Sequence, residues 1–168
     1  MIGMEHAVSC EPYQIYFFGK EINDNHAGVN ENDPKQEGTT SPQKPIKKIL
    51  FVDDEKALCK IFKTALEKFG YEVRVAFNAN EGMELFRESP ADLIITDIFM
   101  PEKDGHTFIN EIMQAFPETN IFAVTGYKSC FGLDMELEVA QALGAKQAFA
   151  KPVKIMELLQ AIKNLDRA

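Results

Sequence analysis

From Ile46 onward, short apolar runs alternate with stretches in which apolar residues recur every three or four positions. Runs of four to eight apolar residues bounded by turn signals predict strands buried on both faces, and the wider spacing predicts amphipathic helices. Ile49-Leu50-Phe51-Val52 is the first such run and ends at Asp53-Asp54-Glu55. Leu58, Ile61, Phe62, Ala65 and Phe69 then share one helical face, stopped by Gly70. Tyr71 to Ala76 alternates and predicts a second strand near a sheet edge. A second helix carries Met83, Leu85 and Phe86, with Asn78 or Asn80 as its cap and Pro90 beyond its end. Leu93-Ile94-Ile95-Thr96-Asp97 is the third strand, and Pro101 closes the segment after it.

The pattern continues through the Asp104-Gly105 turn into a third helix with Phe108, Ile109, Ile112, Met113 and Phe116, stopped by Pro117. Ile121-Phe122-Ala123-Val124 is a fourth strand ending at Thr125-Gly126. A helix around Leu137 to Leu143 precedes Gly144, and Ala148-Phe149-Ala150 is a short fifth strand ending at Lys151-Pro152. Ile155, Leu158, Leu159, Ile162 and Leu165 line the last helix. Strands separated by single helices require crossover connections, hence an α/β domain with a five-stranded parallel sheet and helices on both faces. That domain is assigned to residues 46–168.

Residues 1–45 have a different texture. From Asn23 to Pro45, Val29 is the only large aliphatic residue among Asn, Asp, Gly, Thr, Ser, Pro, Gln and Lys. Such a segment has too little apolar surface to offset the entropy of ordering, so a flexible polar arm is expected. Within the arm, Tyr13-Gln14-Ile15-Tyr16-Phe17-Phe18 has strand propensity and reads as a short strand or a docking peptide. About 15 residues follow Pro152, enough for the last helix, so a stand-alone domain is expected.

Composition narrows the function classes. The formal net charge is −8, which disfavours the basic face that direct nucleic-acid binding needs. No run of eighteen apolar residues exists, so no membrane insertion is expected. Cys10, Cys59 and Cys130 are widely spaced and form no CxxC pair, which indicates neither a disulfide framework nor a zinc site. A cytoplasmic location fits, and Cys59, on an apolar helical pattern, is assigned to the core.

The chemistry collects at the strand ends. In a parallel sheet all strand carboxyl ends lie on one edge, where ligands bind in open α/β folds. Asp53 and Asp54, Asp97, Thr125 and Lys151 stand at four of the five ends. Three carboxylates brought together repel and call for a cation, and an oxygen-only donor set suits Mg²⁺. Lys151 supplies a point positive charge and Thr125 a hydroxyl donor. An aspartate with a metal, a lysine and a hydroxyl is what phosphoryl transfer to a carboxylate requires. Pro152 disfavours helical angles at Lys151 and keeps it extended at the strand end.

Val52-Asp53-Asp54-Glu55, Thr96-Asp97-Ile98-Phe99-Met100-Pro101 with Asp104-Gly105, Val124-Thr125-Gly126, Gly144-Ala145 and Lys151-Pro152 occur in this order. Together they resemble the receiver domain of two-component response regulators, from about Lys48 to the end of the chain. The resemblance implies a flavodoxin-like, doubly wound fold and a phosphorelay role. Asp97 would accept a phosphoryl group from a histidine kinase or histidine phosphotransfer protein. Asp53, Asp54, Asp97 and the backbone carbonyl of Phe99 would hold Mg²⁺, and Lys151 and Thr125 would bind the phosphoryl oxygens. The phosphorylated state would then switch binding of a downstream protein, and pairing of two copies is left open. Beyond its own phosphoryl transfer and slow autodephosphorylation, such a domain is not an enzyme.

The chain departs from the family pattern in three places. Phe99 puts a bulky apolar group where a polar residue or Met is common, which implies a longer-lived phosphoryl state. Ala148 stands where the switching Tyr or Phe is usual, and Phe149, one step later, points to the opposite face by strand alternation. The segment Tyr127 to Met135 is longer than usual. Two rival readings are a phosphorylation-independent interaction module and an aspartate-dependent phosphohydrolase. Phe99 argues against the second, because it occupies the place of that enzyme's acid/base carboxylate.

Overall fold

The computed structural model describes residues 45–126 and 132–167. The expected arm, apart from Pro45, and most of the Tyr127–Met135 segment lie outside the described residues. The order is β1 (Lys48–Val52), α1 (Lys56–Lys68), β2 (Glu72–Ala76), α2 (Ala79–Glu88), β3 (Leu93–Asp97), α3 (Gly105–Ala115), β4 (Asn120–Thr125), α4 (Leu133–Ala142), β5 (Gln147–Ala150) and α5 (Ile155–Leu165). The five strands form one parallel sheet in the order β2-β1-β3-β4-β5. β2 lies at an edge, as its alternating pattern predicts.

Side chains alternate across each strand and divide the core into two layers. Ile49, Phe51, Ile95, Phe122, Val124 and Phe149 pack with α1 and α5. Leu50, Val52, Ile94, Ile121 and Ala123 pack with α2, α3 and α4. β3 runs through the middle and is buried along its whole length, so its last residue is held rigidly.

The helix boundaries follow from local chemistry. The Asn78 side chain accepts from the Glu81 backbone N–H at the start of α2, and Asp104 does the same for Thr107 at α3. α4 begins four residues before the expected Leu137. Its first turn mixes apolar and acidic residues, which weakens the periodic signal, while Asp134 and Glu136 there suit the positive helix end. The apolar face of α1 also needs correction. Cys59, Phe62 and Leu66 are buried, whereas Ile61 is 63% exposed and Phe69 54%. Leu66 and Cys59, rather than Ile61 and Phe69, complete the stripe around Phe62, whose ring stacks on Phe51 at 5.1 Å.

Gly105 is the tightest backbone position next to β3. A Cβ there would stand 2.1 Å from the Asp97 carbonyl oxygen and 2.6 Å from the Ile98 Cα. Its N–H donates to the Ile98 carbonyl at 2.7 Å, which folds the start of α3 back onto the end of β3. Gly105→Ala is therefore expected to lower unfolding stability by about 2 kcal/mol or more, since backbone rather than a flexible side chain must give way. Gly126→Ala, whose Cβ would have its nearest neighbour 3.9 Å away on the Lys151 side chain, is expected to stay within about 0.5 kcal/mol. Urea denaturation of both variants checks the contrast.

Candidate functional site

The parallel sheet brings the strand carboxyl ends to one edge. Asp97 is the last residue of β3 and Thr125 the last of β4, while Asp53 follows β1 and Lys151 follows β5. The edge is tied together by backbone bonds between neighbours: Asp53 N–H to the Ala76 carbonyl at 3.1 Å, and Ile98 N–H to the Val124 carbonyl at 2.9 Å. Lys151 N–H likewise donates to the Thr125 carbonyl at 2.6 Å.

The Lys151 ammonium donates to Asp53 Oδ2 at 2.8 Å and to Asp97 Oδ2 at 2.7 Å. Both carboxylates are almost fully buried, with Asp53 at 1% exposure and Asp97 at 4%. Asp54 is exposed beside them, and the three residues offer carboxylate oxygens within 4.8 Å of one another. The remaining oxygens have partners too. Glu55 N–H donates to Asp53 Oδ1 at 2.9 Å, and Phe99 N–H reaches Asp97 Oδ1 at 3.3 Å. One ammonium against three carboxylates leaves two negative charges in a small volume. An all-oxygen set with one exposed member fits a hard divalent cation that retains waters.

The protonation balance follows from burial. Burial pushes the Asp97 carboxyl above its ordinary value; Lys151 pulls it down, and the charge on Asp53 pushes it up again, leaving it raised. Burial acts to lower Lys151, but its hydrogen bonds to Asp53 and Asp97 outweigh that, and the ammonium is held above its ordinary value. Lys151 is thus a fixed cation at neutral pH.

The residue matches of the chain decide its family. The model of the response regulator receiver domain matches residues 49–163. The chain belongs to the response regulator receiver family. A receiver domain protein from Clostridium thermocellum is 32% identical, with a TM-score of 0.66 over 73% of this chain and 95% of that one. A CheY-like receiver domain protein from Methanospirillum hungatei JF-1 is 31% identical, with a TM-score of 0.66 over 73% and 94% of the two chains. The receiver domain of the Francisella response regulator 1452 is 25% identical, with a TM-score of 0.65 over 72% and 97%. Membership places this receiver in two-component signalling, where receivers serve in general as signalling modules. Among the described residues, no helix is long and apolar enough to cross a membrane.

The residues expected at the site divide into two groups in this receiver. Asp53, Asp54, Asp97 and Lys151 come together. Thr125 is fully buried, and its hydroxyl is turned to the Gly126 carbonyl at 3.4 Å. Phe99 lies next to the site through its backbone, while its ring packs against the layer of α2, α3 and α4. Ala148 lies on that same layer, and Phe149 is buried on the other, edge-on to Phe122 at 5.5 Å.

Sequence reasoning missed two side chains that hold the acids' own backbone. The Cys59 thiol donates to the Asp53 carbonyl at 3.2 Å; burial raises its pKa to about 11, so it stays a protonated donor at neutral pH. The Thr96 hydroxyl donates to the Asp97 carbonyl at 3.0 Å. A polar residue inside an otherwise aliphatic strand was the available signal for Thr96. Nothing in the spacing marked Cys59 beyond its place in the core.

The raised carboxyl of Asp97 has a stability consequence. A group whose folded pKa exceeds its unfolded value favours folding below the unfolded pKa and loses that contribution as pH rises through the folded one. Without divalent cations, the charged form of Asp97 therefore stands in a site that disfavours the charge. Asp97→Asn is expected to raise the melting temperature by a few degrees at neutral pH, and the gain should shrink as pH falls from neutral through the raised pKa of the parent carboxyl. Thermal scans of both proteins across that range check the sign.

Proposed function

We propose that Asp97 is the phosphoacceptor of a phosphorelay, taking its phosphoryl group from a histidine kinase or histidine phosphotransfer protein. The observation that carries this reading is the Lys151 ammonium, bonded at once to Asp97 and Asp53 beside a third carboxylate on one sheet edge. In the reaction, an Asp97 carboxylate oxygen attacks phosphorus, a P–O bond forms, and the P–N bond of phosphohistidine breaks. The departing imidazole keeps the electron pair and takes a proton from solvent. Asp53, Asp54, Asp97 and the Phe99 carbonyl would hold Mg²⁺, which would supply charge neutralisation at the carboxylates and the incoming phosphoryl group. Lys151 and the Thr125 hydroxyl meet those oxygens, Lys151 by exchanging its Asp97 contact for a phosphoryl one. The receiver occupies residues 46–168 of a cytoplasmic protein that signals by binding a downstream partner.

A cleft of about 410 Å³ opens beside Lys151, lined by Leu58 and Phe62 of α1, by Pro152 and Val153 in the loop before α5, and by Leu158 of α5. Ile61 and Met156, each 63% exposed, are further apolar side chains on the same two helices. An apolar face beside the acceptor suits a phosphodonor helix that presents its histidine to Asp97.

Incubation with acetyl phosphate and Mg²⁺, followed by intact mass spectrometry, tests the reading. A gain of one phosphoryl group is expected in the parent, none in Asp97→Ala or without Mg²⁺, and uptake about 100-fold slower in Lys151→Ala, which removes a charge at the transferring group. No gain in a folded parent that also fails to bind beryllofluoride would favour the phosphorylation-independent module. The lifetime of the product is a separate expectation. Phe99→Asn should decay several-fold faster than the parent if Phe99 hinders water, and equal decay rates would sink that role.

A further inference from the structure

We propose that Thr96 is a positioning residue, which sets the Asp97 carboxylate and the turn beyond it from the opposite face of the sheet. The proposal rests on the reading of Asp97 as phosphoacceptor. Thr96 is fully buried, and by strand alternation its side chain shares a face with Ile94 and Ile98 in the layer of α2, α3 and α4. In the sheet it lies in register with Val52 and Ala123. These surroundings are apolar, and a valine of the same shape would pack there without burying a hydroxyl. The hydroxyl is spent on one contact, a 3.0 Å hydrogen bond to the main-chain carbonyl of Asp97.

That carbonyl is a sensitive point. It belongs to the peptide that joins the acceptor to the turn, and Gly105 crowds it so closely that a Cβ there would overlap it. The peptide's other side, Ile98 N–H, is bonded to Val124, and the Ile98 carbonyl accepts from Gly105. Phe99 N–H then reaches back to the Asp97 carboxylate. Thr96 closes this set of bonds from outside the reacting groups. Without its hydroxyl the peptide is free to rock, and both the carboxylate and the Phe99 backbone lose their set geometry. Small losses of orientation at a reacting group lower rates sharply.

Thr96→Val and Thr96→Ser separate this role from packing. In Thr96→Val, amide hydrogen exchange at Ile98 and Phe99 is expected to rise about ten-fold while Leu93 to Ile95 stay as in the parent. Phosphoryl uptake from acetyl phosphate with Mg²⁺ is expected to fall about ten-fold, and Thr96→Ser should restore both to within about two-fold of the parent. Parent-like exchange at Ile98 and Phe99 in Thr96→Val would overturn the proposal, as would a serine variant no better than valine. If the parent itself takes up no phosphoryl group, the acceptor reading fails separately, and the exchange rates still decide whether Thr96 holds the turn.

Discussion

Two carboxylates buried side by side repel, and the Lys151 ammonium, bonded at once to Asp53 and Asp97, holds them together. A buried ion pair is weak evidence for stability, because desolvation opposes the attraction. Here the charges do not balance, and the residual negative charge makes the edge receptive to a cation. The remainder of the fold supplies what this arrangement demands. β3 is sealed between β1 and β4, so Asp97 cannot retreat. The β5 segment is tied to β4 at the Lys151 backbone, so the ammonium arrives at a fixed height.

The architecture was legible because both periods are strong in this chain. Each strand carries apolar residues on both faces, and the two layers of the core can be assigned by counting alternate positions. The convergence of Asp53, Asp54, Asp97 and Lys151 was legible for a topological reason: a parallel sheet leaves no other place for residues that follow its strands. Less was legible where side chains of similar hydrophobicity compete for one face. On α1, Ile61 and Leu66 are equally apolar, and only the position of β1 and α5 decides that Leu66 turns inward. On α4, acidic and apolar residues intermingle, so the helix starts before its periodicity becomes visible. Thr125 was legible as a site residue by place, but not in its orientation towards Gly126.

The split between Ala148 and Phe149 shows how one step along a strand changes what a residue can do. Phe149 contributes to the core against Phe122 in the layer of α1 and α5. Ala148 leaves a methyl group where the opposite layer meets the end of the sheet. A shift of the Thr125 hydroxyl would therefore meet no large ring from β5 on the α4 side.

The sheet's open borders have a further consequence. A border strand with unpaired main-chain groups invites pairing with another chain, and proteins blunt it with charge or brevity. β2 carries Glu72 exposed and Arg74 with its guanidinium turned to the Leu85 and Ser89 carbonyls at the end of α2. Thus one residue both closes a helix and places a cation along the border. β5 uses brevity: it has four residues, followed directly by Lys151 and Pro152. Pro152 has no N–H to give to a continuing ladder, so a β5-to-β5 ribbon would have to stop where the chain turns its ammonium inward to the acidic edge.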